Sequence, residues 1–208
     1  MVKITLRLLL LICLLLTACS EPPKTETSKK EPEKAPEPLT GRQAFQRMYP
    51  QARLWATDAQ PLRVRNLPVA GVKAENGKAG AWEATFVSQS KGKSKTFTYS
   101  VVEAEGNLHQ GVFGTSEDSY SVTAPHPSAP FEIAALKTDS DQAYETAAEM
   151  SKDYIKKNPD KPVSFLLELN AKRHPDPTWR VYWGDSISTS DYSIFIDAST
   201  GKVVEKSH

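Results

Sequence analysis

Trp82-Glu83-Ala84-Thr85-Phe86 and, further along, Trp179-Arg180-Val181-Tyr182-Trp183 decide the fold. In both stretches apolar side chains recur at a period of two, the signature of a strand with one buried face. The same order of features recurs outward from each. Upstream, Gln43-Ala44-Phe45 and Gln142-Ala143-Tyr144 each open a helix-like segment. Downstream, Phe97, Tyr99 and Val101 align with Tyr192, Ile194 and Ile196, and Gly106 aligns with Gly201. The spacing changes only by even steps within the strands, so parity is kept; a one-residue slip would turn every side chain to the other face. The chain therefore reads as α+β, two repeated units that are each a helix packed on an antiparallel β-sheet. The units span 40–115 and 139–208, with a connector over 116–138.

The second unit is the easier to read. Asp139, Ser140 or Asp141 can cap a helix running to about Lys157, with Ala143, Tyr144, Ala147, Ala148, Tyr154 and Ile155 as its apolar stripe. Asn158-Pro159-Asp160-Lys161-Pro162 stops it. Val163, Phe165, Leu167 and Leu169 alternate along a first strand, ahead of the Trp179 strand and of Tyr192–Ala198. In the first unit Thr40 is the expected cap, Pro50 the expected helix end, and Leu54, Trp55, Leu62 and Val64 a strand-rich region. In the connector, Pro130-Phe131-Glu132-Ile133 is apolar enough to pack down.

Phe195-Ile196-Asp197-Ala198-Ser199-Thr200-Gly201-Lys202-Val203-Val204 resembles the closing hairpin of the PepSY family, whose pattern is a helix, then antiparallel strands, with an I-D-A-x-T-G-K-V ending. The likeness covers Asp139 to Glu205 and extends faintly over Thr40 to Phe113, where Val102 stands in place of Asp197 and the Thr-Gly pair is missing. It implies a small domain that often accompanies secreted peptidases as propeptide or inhibitor, or sits alone in envelope proteins. Independently of the family, Gly201 supplies the positive φ of a tight turn, and Asp197 or Thr200 can hydrogen-bond within it.

Leu16-Thr17-Ala18-Cys19, behind the apolar run Leu8–Leu16, resembles the lipobox of bacterial lipoproteins, in which the cysteine becomes the acylated N-terminus. The likeness implies a signal peptide over 1–18 and lipidation at Cys19. The run falls short of the roughly 20 apolar residues of a spanning helix. Cleavage would remove Lys3 and Arg7, leaving 24 basic residues against 25 acidic ones, with no electrostatic footprint for nucleic acid. It would also remove Cys13, and acylation would consume Cys19, so no thiol remains for a disulfide or thiolate metal site. Residues 19–39 then carry the lipidated cysteine and a Pro/Glu/Lys tether that cannot bury enough apolar surface to order itself. The location implied is the bacterial cell envelope, with the globular part outside the cytoplasm. The residue after Cys19 is Ser20, not the acidic residue of inner-membrane retention, which favours an outer membrane where the cell has one. The chain as a whole also resembles an uncharacterised family of bacterial lipoproteins, which carries over no activity.

No catalytic constellation emerges. His109, His126, His174 and His208 are scattered, and no His-Glu-x-x-His is present, so neither a metal nor another cofactor is expected. Gly184-Asp185-Ser186 looks like the nucleophile block of GDS-type esterases, but the downstream Asp-x-x-His that block needs is missing. The aromatic-rich strands offer a binding surface instead. Trp179 and Trp183 are expected in the core, which leaves Arg180 and Tyr182 on the opposite face, available to a peptide or glycan if that face is open. The expected function is a non-catalytic, membrane-anchored module that binds a peptide, a peptidase or another envelope protein. The alternatives are an envelope enzyme of unrecognised type and a purely structural lipoprotein.

Overall fold

The computed structural model describes residues 37–106, 108–184 and 186–207. The signal segment, Cys19 and nearly all of the tether lie outside the described residues, as do Asp185 and His208. The chain begins with β1 (Leu39–Thr40), and α1 (Gly41–Trp55) follows at once. Thr40 caps α1: its hydroxyl accepts from the Gln43 amide at 3.3 Å while the Gln43 side chain accepts from the Thr40 amide at 3.1 Å. This reciprocal pair satisfies two donors that every helix start leaves orphaned. The apolar stripe of α1, Ala44, Phe45, Met48 and Ala52, is buried.

After α1 come β2 (Gln60–Leu67), β3 (Lys78–Ala79), β4 (Ala81–Ser88), β5 (Lys93–Ser100) and β6 (Gly111–Ser119). The connection from β6 holds one 3-10 turn, Ile133–Ala135, and seats Phe131 in the core at 3% exposure. Then come α2 (Ser140–Met150), α3 (Lys152–Lys157), β7 (Val163–Glu168), β8 (Thr178–Trp183), β9 (Tyr192–Asp197) and β10 (Val203–Ser207). Asp139 and Gln142 form a second capping box at the start of α2.

Eight strands join in one antiparallel sheet, in the order β10-β9-β8-β7-β2-β4-β5-β6. Read from either edge toward the middle, the order is fourth, third, second and first of the strands that each half gives to this sheet, β3 pairing with β1 instead, and the two halves meet where β2 pairs with β7. One row across the eight strands shows the inner face: Val203, Ile196, Trp179, Leu167, Val64, Ala84, Phe97 and Gly114. All three helices pack on that face. Phe45 stacks near Phe86, Tyr144 meets Phe165, and Tyr154 meets Trp183. The two halves share this core. Trp82 and Trp179 meet edge to face at 6.3 Å, and each indole N–H donates at 2.9 Å to the carbonyl just before a helix cap, Leu39 and Thr138 respectively.

Four sequence expectations need correction. Pro50 does not end α1, which continues to Trp55, so Leu54 and Trp55 are helical. The ring costs the helix one bond, to the Gln46 carbonyl; the turn beyond it is held by buried Ala52 and by the Trp55 indole, which donates to Glu117 at 2.7 Å. The helix expected to run from 139 to 157 is broken at Ser151. The break lets Tyr154 stack on Tyr192 with ring centres 4.1 Å apart. Finally, the third strands were aligned two residues out. Ala84 pairs with Phe97 and Trp82 with Tyr99, while Val181 pairs with Ile194 and Trp179 with Ile196. Phe97 and Tyr99 therefore correspond in position to Ile194 and Ile196. The connector is shorter than expected, because β6 runs on to Ser119.

The corrected register also finds a partner for Asp197. The Asp197 carboxylate accepts from the amides of Ser199 at 2.7 Å and Thr200 at 2.9 Å, an Asx turn, and Gly201 follows at φ +73°. In the first half the equivalent residue is Ser100, not Val102: its hydroxyl accepts from the Val102 amide at 3.3 Å. A hydroxyl does there what a carboxylate does in the second half, and a residue-identity match misses it.

Candidate functional site: the helix-free face of the sheet

The alternation that buries Trp82 and Trp179 must send their strand neighbours to the other side. One row across all eight strands there reads Glu205, Phe195, Arg180, Leu166, Arg65, Glu83, Thr98 and Phe113. Among the described residues no helix lies on this face. Charged, hydroxyl and aromatic side chains alternate along it, and Phe113 at one end is 45% exposed.

Arg180 and Tyr182 both lie on this face, but only one is reachable. Arg180 is half-buried, whereas Tyr182 is 6% exposed and Phe195 5%. The guanidinium carbon of Arg180 sits 5.7 Å from the centre of the Tyr182 ring and 5.4 Å from that of Phe195. Arg173 also lies over the Phe195 ring, at 4.4 Å from its centre. Tyr182 thus supports a cation and presents no ring surface of its own. The Arg180 Nε donates to the Ser193 hydroxyl at 3.0 Å and its Nη2 to Ser190 at 3.3 Å. Burial, aided by the charge of Arg173, pushes the Arg180 guanidinium below its ordinary pKa.

Two ion pairs frame it. Arg65 donates to Glu83 across the β2–β4 ladder, which raises the arginine above its usual value. Arg173 grips both oxygens of Glu205, holding that carboxyl below the usual range. His174, 8% exposed, brings its Nε2 within 3.1 Å of the same carboxylate without making a hydrogen bond to it. The place of Arg63, Arg65, Arg173 and Phe195 on this face went unread in the sequence. Alternation with Leu62 and Val64 could have put Arg63 and Arg65 on the outer face. Arg173 sits in a turn, and only the fold brings it over Phe195.

The remaining sequence candidates fall elsewhere. Asp197, Thr200 and Gly201 build the β9–β10 turn. Ser186 lies in the loop between β8 and β9, where its hydroxyl contacts those of Ser188 at 3.0 Å and Thr189 at 2.8 Å. Among the described residues no three His, Cys, Asp or Glu side chains gather as a metal site. On the helix side, a cavity of about 600 Å³ opens between the β2–β3 and α3–β7 connections, floored by Phe165 and Trp183. Lys161 at its rim is already held by Asp191 at 2.7 Å.

No family model matches the chain, and no curated protein does. The crystal structure of a "putative lipoprotein" from Clostridium difficile 630 superposes with a TM-score of 0.50 at 11% identity, covering 78% of this chain and 91% of that one. At that identity the likeness is one of fold. Among the described residues, no helix is long and apolar enough to cross a membrane.

Proposed function

We propose that this protein is a lipid-anchored, non-catalytic component of the bacterial cell envelope that binds a protein or peptide on the helix-free face of its sheet. The observation that carries the reading is the outer row from Glu205 to Phe113, which crosses all eight strands with no helix over it among the described residues. A sheet exposed on one side normally dresses that side with simple polar groups. Here arginines are stacked over aromatic rings, the residue types that dominate protein interfaces. The anchor rests on the Leu16-Thr17-Ala18-Cys19 lipobox, and the fold shared with the Clostridium difficile protein, whose name reads lipoprotein, agrees with it. A tandem of PepSY-like units fits the two capped helices, each followed by four antiparallel strands of the large sheet in matching order. The non-catalytic reading is supported at Ser186, whose hydroxyl contacts neighbouring hydroxyls, with no base beside it among the described residues.

Site-specific photo-cross-linking in intact cells tests the reading. A benzophenone side chain at Thr98, on the helix-free face, should yield a discrete cross-linked protein, and one at Gln51, exposed on α1, should not. Equal labelling from both positions, or none from Thr98, would remove the face as an interface.

A further inference from the structure

The charge pattern on the helix-free face bears on the partner's chemistry, an inference that rests on the reading of that face as an interface. Four arginines lie on or over it. Arg65 is neutralised by Glu83 and Arg173 by Glu205. The other two have no such partner among the described residues. Arg63 is exposed, and no carboxylate among the described residues reaches salt-bridge distance of it. Glu168, directly across from it on β7, accepts from the Ser128 hydroxyl at 2.6 Å instead. Arg180 is half-buried and, among the described residues, bonded only to the hydroxyls of Ser193 and Ser190. Neutral hydroxyls leave the fork without a paired carboxylate, Glu168 and Glu205 acting on its charge only from beyond salt-bridge distance, and a half-desolvated cation without a direct counter-charge is costly. Its five N–H groups form a planar fork that suits a carboxylate held by two parallel bonds. The rings of Tyr182 and Phe195 beside it restrict where that fork can point.

We infer that the partner is an acidic protein segment that seats one carboxylate on Arg180 and a second on Arg63, crossing β7 between them. Arg63 and Arg180 are two strands apart and one side-chain step out of line, a separation of about 12 Å from ordinary strand spacing. Three to four residues of extended chain span roughly that length. A protein segment is favoured over a dense polyanion or an anionic membrane because Glu83, Glu168 and Glu205 are interleaved with the arginines. A continuous array of phosphates would meet repulsion at each of them, whereas spaced carboxylates pass between.

The test uses full-length protein in detergent micelles and a dye-labelled peptide of alternating serine and glutamate, read by fluorescence anisotropy. Its serine–lysine counterpart is the control, and tripolyphosphate the competing anion. The glutamate peptide should bind saturably and the lysine peptide should not. Arg180→Gln should weaken binding by about tenfold or more, and Arg180→Lys should recover only part, since an ammonium cannot make the paired bonds. Arg63→Gln, at an exposed position where refolding is not in question, should weaken binding several-fold. Equal binding of the two peptides, no loss in Arg63→Gln and Arg180→Gln, or stronger displacement by tripolyphosphate than by unlabelled glutamate peptide would each overturn the inference. If Thr98 cross-links a protein in cells while the glutamate peptide fails to bind, the acidic preference falls and the interface stands. Absence of that cross-link removes the interface itself.

Discussion

Asp139 is the residue on which the joining of the two halves depends most. Its carboxylate, in a residue 5% exposed, accepts from the Thr40 hydroxyl at 2.6 Å, the Arg42 amide at 2.8 Å and the Ser140 amide at 2.7 Å. It therefore caps its own helix and completes the cap of the other. Asp139→Ala leaves buried donors of both helices unpaired and should cost about 2–4 kcal/mol, measured by denaturant unfolding. Trp179→Ala opens a cavity at a fully buried site shared by both halves and should cost about 3–5 kcal/mol in the same assay. Gly201 sits at φ +73°, and a side chain there would also come within 3.3 Å of the Thr138 hydroxyl. Gly201→Val should therefore lower stability by about 1–3 kcal/mol. Acid acts on two exposed carboxyls. The Ser88 hydroxyl and Ser90 amide hold Asp58 at about 2, and Lys161 with Tyr154 holds Asp191 at about 2, each down from 3.8. A carboxyl depressed in the folded state stabilises above its ordinary value, and that contribution is lost as pH falls from 3.8 through about 2. Asp191→Asn should flatten the loss of thermal stability over that window; an unchanged acid profile would show that the Lys161 pair contributes nothing.

At the scale of elements, α1 carries a defect that packing overrides. Pro50 sits two residues before the buried Ala52, and its exposed ring interrupts the bond to the Gln46 carbonyl. Pro50→Ala restores that bond on an exposed surface and should raise stability by about 1–3 kcal/mol in denaturant titrations, where a loss would mean that the ring itself is needed. The same helix marks the limit of what the sequence could show. The strands were legible because a period of two over Trp82–Phe86 and Trp179–Trp183 admits one burial pattern, and the helix starts were legible to within a residue or two because Thr40, and Asp139, Ser140 or Asp141, are cap residue types. The end of α1 was not, because proline's penalty is local while the burial of Ala52 depends on a sheet elsewhere in the chain. The break at Ser151 was hidden for the same reason: the residue is an ordinary helix-tolerant serine, and the force that bends the chain is the stacking of Tyr154 on Tyr192. The equivalence of Ser100 with Asp197 needed register, since one is a hydroxyl and the other a carboxylate.

At the scale of the molecule, pairing of β2 with β7 turns two four-stranded halves into one sheet with a shared core. Alternation alone put Arg180 and Tyr182 on one face. It could not show that the face continues through Arg65 and Glu83 to Phe113, because that depends on which strand of one half meets which strand of the other. It also could not show that Tyr182 is buried beneath Arg180, which only the neighbouring strand's Phe195 explains. A shared core predicts shared unfolding. Tryptophan fluorescence and far-UV circular dichroism should report one coincident transition, whereas separable midpoints would assign each half its own stability. The continuous outer row, and with it the proposed interface, exists only if the two halves pair along this one seam. Cross-strand backbone nuclear Overhauser effects test the seam most directly. The account predicts contacts linking Arg63 with Glu168, Val64 with Leu167 and Arg65 with Leu166; two sets of four-stranded contacts with none between β2 and β7 would contradict it.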